Sequence, residues 1–338
     1  MELAILQKAQ KLYGTPEQFF DVAQQMVHEE EWLLISLMEE RDVPDEELRK
    51  LVLDNGLAVS PVDFIRECYH RGIINKVYQA ESLTWHIGTF YRRFSYYAQY
   101  EFYPYSKLPV EVKDALNDWQ FSEYLSIYAE DVKAKMRGEE TYVHNSDFLT
   151  LEEACAFVDK HPDNIYVHAC NCKSQYHYRH NKPICVCMHL FDFPNSEGDR
   201  GYGEKLTAEE AKKRLRQFNR AGLMHNGEEM GFCNCEGTSC YPLLMAKELG
   251  SRGMYPKSHY HIDWHADECV SCGRCVQVCN FQAFRKDEEG KVVYDADKCW
   301  GCTLCADNCP KGAIHLIPRT DVQHTDAGTA VQAFLNHK

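Results

Sequence analysis

Apolar positions recur at helical spacing through residues 2–40. Leu3, Leu6, Ala9 and Leu12 fall at three-residue steps, and Phe19, Phe20, Ala23, Met26 and Val27 continue the stripe. Pro44-Asp45-Glu46-Glu47 then opens a second helical stretch with acids suited to a helix N-terminus, and Gly56 ends it. Ser60 and Pro61 read as the N-cap and first turn of a third, whose buried face is Phe64, Ile65, Cys68 and Tyr69 and whose end is Gly72. Ile73-Ile74 and Val77-Tyr78 read as extended. Helix, short turn, helix, strand predicts a winged-helix-like plan. Residues 111–136 form one more helical stretch, closed by a Gly138-Glu139-Glu140 linker. Further on, Ile165–Ala169 reads as a strand. Thr207-Ala-Glu-Glu210 is a capping box before a helix with Ala211, Leu215 and Phe218 on its apolar face; Gly222 closes it, and Leu223-Met224-His225 is extended.

Between these stretches lies an aromatic run that includes Trp85, Phe90, Tyr91, Phe94, Tyr96, Tyr97, Tyr100, Phe102, Tyr103 and Tyr105. Base stacking would need a positive groove, and only Arg92-Arg93 is at hand, so the run is read as core packing or a partner interface. Charge points the same way. The 338-residue chain carries a net charge of −14. Residues 1–166 hold 16 basic against 30 acidic side chains, whereas residues 167–338 hold 21 of each. The helix that would read DNA carries Asp63, Arg66, Glu67 and Arg71, a balanced set. An acidic N-terminal half argues against nucleic acid and suits docking on a basic protein surface.

The chain has 17 cysteines. No basic start with an apolar run and cleavage site follows Met1, and no apolar run approaches 18 residues. The expectation is a cytoplasmic protein whose cysteines are metal ligands and not disulfides. Cys68 and Cys155 sit singly on helical faces and are read as core. The rest fall into two regions. Cys269, Cys272, Cys275 and Cys279 make one C-x2-C-x2-C-x3-C run; Cys299, Cys302, Cys305 and Cys309, followed by Pro310, make another. Such a run curls three thiolates round a cubane cluster; zinc sites use pairs of CxxC instead. Over roughly residues 260–317 the chain resembles the bacterial dicluster ferredoxin domain. That resemblance implies two [4Fe–4S] clusters with the fourth cysteine of each run crossing over. Cys269, Cys272, Cys275 and Cys309 would hold the first, and Cys299, Cys302, Cys305 and Cys279 the second. Asn280 stands where the family has a second proline, and its N–H is expected to reach a cluster sulfur.

Residues 165–241 hold Cys170, Cys172, Cys185, Cys187, Cys233, Cys235 and Cys240. Three similar groups far apart in sequence suggest one site formed by converging loops, a third iron–sulfur cluster on a subset of the seven. The region is similar to the middle part of a group of anaerobe ferredoxin-like proteins with a CxCR, an "aGLvh" strand and a CNCCxCC group; Lys173 stands here in place of the arginine. Zinc on four of the seven is an alternative, as are two clusters completed by His168 or His189, or a thiolate site left open for substrate. Gly198, Gly201 and Gly203 read as a flexible loop and not a phosphate cradle. A metal site on His259, His261 and His265 is a lesser alternative to hydrogen bonding near the clusters. The tail beyond Arg319 carries an apolar patch, Ala330-Val331 and Ala333-Phe334-Leu335, suited to docking on a neighbour.

The predicted fold is α+β. A mainly helical, winged-helix-like docking domain covers residues 1–137, a small mixed cysteine-rich domain 138–255, a dicluster ferredoxin domain of βαββαβ type 256–318, and a tail 319–338. The expected role is single-electron transfer as a subunit of a larger anaerobic oxidoreductase, with a redox partner or sister subunits and a homo-oligomer as a further option. No catalytic residue is assigned. The competing classes are a redox-sensing winged-helix regulator and an iron–sulfur enzyme open at the middle cysteines.

Overall fold

The computed structural model describes residues 2–79, 82–176, 179 and 182–325. The chain divides into two compact units, residues 1–120 with 192–203, and residues 121–191 with 204 onward. The cut falls inside the helix Val110–Met136, ahead of the boundary at 137 read from sequence. The reason is packing: Val112, Leu116 and Trp119 join the N-terminal core, whereas Tyr124 and Val132 join a second core. The apolar patch of the tail lies outside the described residues.

In the first unit the helices Glu29–Met38, Asp45–Asp54 and Pro61–His70 pack with a three-stranded antiparallel sheet. Its spatial order is Val43–Pro44, Ser82–Ile87, Ile74–Gln79. Ser60 caps the third of these helices by accepting from the Asp63 N–H, as its sequence predicted. Ile65, Cys68 and Tyr69 are buried and Phe64 is half-buried. Most of the aromatic run is core: Phe90, Phe94, Tyr96, Tyr97 and Tyr105 are buried, while Tyr103 is 74% exposed. Charge is also buried here, and it is paired. Glu31 accepts from the His28 N–H and from Arg71 Nε at 2.7 Å, and Arg71 also reaches Glu101 at 3.1 Å.

Gly198, Gly201 and Gly203, read above as a flexible loop, lie in the segment 192–203, which is pinned within this unit. Asn195 exchanges two hydrogen bonds with the Lys76 backbone (2.8 and 2.9 Å), and Lys76 Nζ donates to Asp199 at 2.7 Å. Arg200 lies 4.4 Å over the Tyr69 ring, and Tyr202 stacks on Tyr100 at 3.7 Å. Side-chain partners outweigh the glycines, which serve only the turns.

The second unit is built on a six-stranded antiparallel sheet. Its spatial order is Asp147–Leu149, Met224–Glu228, Gly231–Cys235, Cys185–His189, Ile165–Ala169, Glu204–Leu206. The helix Ala208–Arg220 begins with the Thr207/Glu210 capping box and buries Ala211, Leu215 and Phe218. The part after residue 256 runs strand Tyr260–Trp264, helix Arg274–Val278, strands Phe284–Lys286 and Val292–Tyr294, helix Leu304–Asp307 and strand Ile314–Pro318. The first and last of these strands pair antiparallel, with Tyr260 opposite Pro318. Each short helix lies within one cysteine run, carrying its third cysteine, so the two halves are built alike.

Candidate metal centres

The cysteine loops turn through left-handed backbone. Ser271, Gly273, Gly301 and Thr303 all have positive φ, which reverses the chain between successive cysteines. At Gly301 (φ +67°) glycine is required twice over, because a Cβ would lie 1.8 Å from Ser258 Oγ and 2.8 Å from Tyr260 O. The result is two cradles. Cys269, Cys272, Cys275 and Cys309 line one small cavity, with Trp264 and Pro310 on its wall. Cys279, Cys299, Cys302 and Cys305 line another, with Phe281 and Trp300. Each cradle takes three cysteines from one run and the fourth from the other. Four thiols around one small cavity suit a cubane group, and the residues present fit it.

Backbone amides face the sulfurs. Gly301 N donates to Cys299 Sγ at 3.3 Å, and Ala283 N to Cys279 Sγ at 3.2 Å. The N–H given to Cys279 is therefore Ala283's. Asn280, expected in that role, acts through its side chain: Nδ2 donates to Gly222 O at 3.0 Å, and Oδ1 accepts from Gly237 N at 3.0 Å. Burial pushes the Cys275 thiol up to about 11 and raises Cys302 and Cys305 as well. Metal binding at these sulfurs must therefore displace protons.

Six of the seven middle cysteines converge. Cys170 and Cys172 lie at the start of the helix Asn171–Tyr176, Cys187 on one central strand, Cys233 and Cys235 on its neighbour, and Cys240 at the N-cap of the helix Tyr241–Leu249. The register Met188↔Phe232 sets Cys187 opposite Cys233, and their sulfurs are 3.5 Å apart. Cys235 and Cys240 sulfurs are 3.1 Å apart, and Tyr241 N donates to Cys172 Sγ at 3.4 Å. The thiols of Cys172 and Cys187 hold Cys170 well below the ordinary thiol range; those of Cys187 and Cys235 do the same for Cys233. Cys185 is exposed and stands apart, on the far side of a bulge in the pairing of its strand with Ile165–Ala169.

Lys173 is buried beside the Cys170, Cys187, Cys235 and Cys240 sulfurs and donates to Asn234 O at 2.6 Å. Burial pulls its ammonium down, but the Cys170, Cys235 and Cys187 sulfurs outweigh that and raise it above the ordinary lysine range. The sequence named Lys173 only as a replacement for arginine; nothing local marks it as buried. Cys235 and Cys240 share an apolar cluster with Phe281, Trp300 and Cys302, and Phe281 stacks on Trp300 at 5.1 Å. The second cradle and the six thiols are thus neighbours in one packed region.

Hydrogen bonding, the expected role of the histidines, is what His259 and His265 show. His168 and His189 face each other at 4.6 Å. His259 bonds Asp147 at 2.8 Å, and His265 bonds Asp263 at 3.0 Å, so these two serve separate partners. Cys68 is core; Cys155 is half-buried on the helix Leu151–Lys160.

Comparison with known proteins matches residues 262–316 to the 4Fe-4S dicluster domain. A 51-residue stretch (14% of this chain, 66% of the relative) is 43% identical to an uncharacterised ferredoxin of Methanocaldococcus jannaschii. Over 113 residues (33% of this chain, 24% of the relative) the chain is 27% identical to the beta subunit of NADH-dependent phenylglyoxylate dehydrogenase from Aromatoleum evansii. Over 87 residues (20% of this chain, 88% of the relative) it is 32% identical to Ferredoxin-3 of Nostoc. It thus spans less than two thirds of the first two. Through residues 262–316, the segment that carries both cradles, the chain belongs to the 4Fe-4S dicluster ferredoxin family.

Proposed function

We propose that the chain is an iron–sulfur electron-transfer protein that works as a subunit of a larger oxidoreductase. The observation that carries this is the pair of cradles, each lined by four thiols drawn from both runs. Bound clusters would supply one-electron oxidation and reduction. In this reading Cys269, Cys272, Cys275 and Cys309 hold one cluster, and Cys299, Cys302, Cys305 and Cys279 the other. The chain's own residues shape the cradles, exclude water with Trp264, Phe281 and Trp300, and aim the Gly301 and Ala283 N–H groups at sulfur. A third centre on the middle cysteines belongs to the same reading. The names of relatives that are enzyme subunits support assembly with partner proteins.

The N-terminal unit is the proposed docking module. Its strand order, short strand outside the hairpin, supports a winged-helix-like plan. A DNA-reading regulator is the second reading that this plan favours. Against it, Arg66 on the exposed helix is paired with Asp63 at 2.6 Å, which leaves little positive charge for phosphates. Binding to duplex DNA at low salt, with and without clusters, separates the two; affinity there would favour the regulator.

The test of the main reading is iron and acid-labile sulfide on protein prepared without oxygen, with electron paramagnetic resonance after reduction. Expected is at least about eight iron per chain and reversible one-electron signals. Fewer iron atoms, or signals that do not pass electrons to a soluble one-electron acceptor, would sink it.

A further inference from the structure

The six middle thiols are arranged differently from any simple metal site. They form a file, with Cys170 in contact with Cys172 and Cys187, Cys187 with Cys233, and Cys235 with Cys233 and Cys240. One tetrahedral zinc needs every pair of its thiolates within about 3.8 Å, the edge set by a 2.3 Å bond. Among the described residues, no set of three candidate ligand atoms mutually within 4.8 Å contains a cysteine. The file is therefore too extended to close round one ion. It is also too large for a single dithiol, which uses two sulfurs. A shell that is continuous from neighbour to neighbour yet spread out overall suits several metal atoms joined together.

One charged side chain is buried beside this file. Lys173 is 1% exposed, and its ammonium is spent on a backbone carbonyl, which carries no net charge. Glu236, the nearby carboxylate, accepts from the Thr238 and Ser239 N–H groups. A buried ammonium is stabilised by negative charge beside it; the Glu236 carboxylate supplies some, and the Cys170, Cys187, Cys235 and Cys240 sulfurs lie close as well.

We propose that Cys170, Cys172, Cys187, Cys233, Cys235 and Cys240 form the ligand shell of one polynuclear iron–sulfur centre, with Lys173 as its buried counter-cation and Cys185 outside it. This sets aside zinc, and it rests on the electron-transfer reading only in sharing iron–sulfur chemistry. The packing of Cys235 and Cys240 with Phe281, Trp300 and Cys302 makes the second ferredoxin cradle its neighbour.

The test counts iron, sulfide and zinc on the full chain prepared without oxygen. The unaltered protein should carry iron and sulfide above the roughly eight of two four-iron cubes. The double variant Cys235→Ser/Cys240→Ser should fall to about eight and keep the ferredoxin signals, and Cys185→Ser should change neither. If the double variant does not accumulate, Lys173→Met should lose the excess iron while Lys173→Arg, which keeps the charge, retains it. Iron of about eight together with zinc would overturn the proposal, as would iron of about eight with the six cysteines recovered as disulfides by alkylation and mass spectrometry. Both outcomes leave the ferredoxin cradles intact; iron below about eight in the unaltered chain strikes the electron-transfer reading instead.

Discussion

The two cysteine regions of the second unit solve the same problem in opposite ways. In the ferredoxin segment each loop supplies three thiols within seven residues, turned by positive-φ backbone, and eight sulfurs stand round two open cavities. In the middle region three distant stretches supply two, one and three sulfurs from strands and helix starts, and neighbouring sulfurs touch. A loop carries three of its cradle's four thiols wherever it is placed. A sheet assembles one only when its strand register is right. The first kind of site should therefore fail locally when mutated, and the second should fail with the sheet.

The largest expected effect tests that locality. Cys299→Ser/Cys302→Ser should remove about half of the ferredoxin iron, one cube of two, while Cys269, Cys272, Cys275 and Cys309 keep theirs. Iron analysis with electron paramagnetic resonance reads this, and loss of both sets would erase the contrast. Next is Gly301→Ala. Forced φ and the collision with Ser258 and Tyr260 should cost roughly 4 kcal/mol at the Cys299–Cys302 loop. The outcome expected is selective release of the same iron on mild heating, with the six-thiol region unchanged.

The sheet is probed by Glu228, which ends the strand Met224–Glu228. Burial pushes its carboxyl up to about 8 from the ordinary 4.5, although it accepts from Ser146 N at 2.7 Å. The unfolded chain ionises first, so this residue's contribution to stability is complete below pH 4.5 and declines as pH rises toward 8. Glu228→Gln keeps the acceptor and removes that decline. At pH 7 the variant should gain about 3 kcal/mol relative to its difference from the parent at pH 4.5. Denaturation at several pH values measures it; parallel profiles would show that Glu228 is not held protonated.

The smallest effect concerns the seam between the regions. Asn280→Ala leaves the buried Gly237 N–H without its acceptor and should cost about 2 kcal/mol. Because Gly237 lies between Cys235 and Cys240, loss of iron from the middle cysteines ahead of the ferredoxin segment is expected. Equal loss from both would place the seam in the wrong position.

Much of this was legible before any coordinates. Ser60 as a cap, the Thr207/Glu210 capping box and the Ile165–Ala169 strand involve groups within four or five residues, where spacing alone decides who meets. The eight ferredoxin cysteines are legible for the same reason, since each run bends on itself. Tertiary structure alone decided that Cys185 is left out of the middle group although Cys187, two residues on, is included, because a bulge shifts the register between them. It also decided that Lys173 is buried among sulfurs, that Asn280 binds Gly222 and Gly237, and that the glycine-bearing segment 192–203 is clamped by Lys76 and Tyr69. Each of these depends on which strand lies beside which, and a strand's partner is chosen by the packing of the whole sheet and not by the residues next to it in the chain.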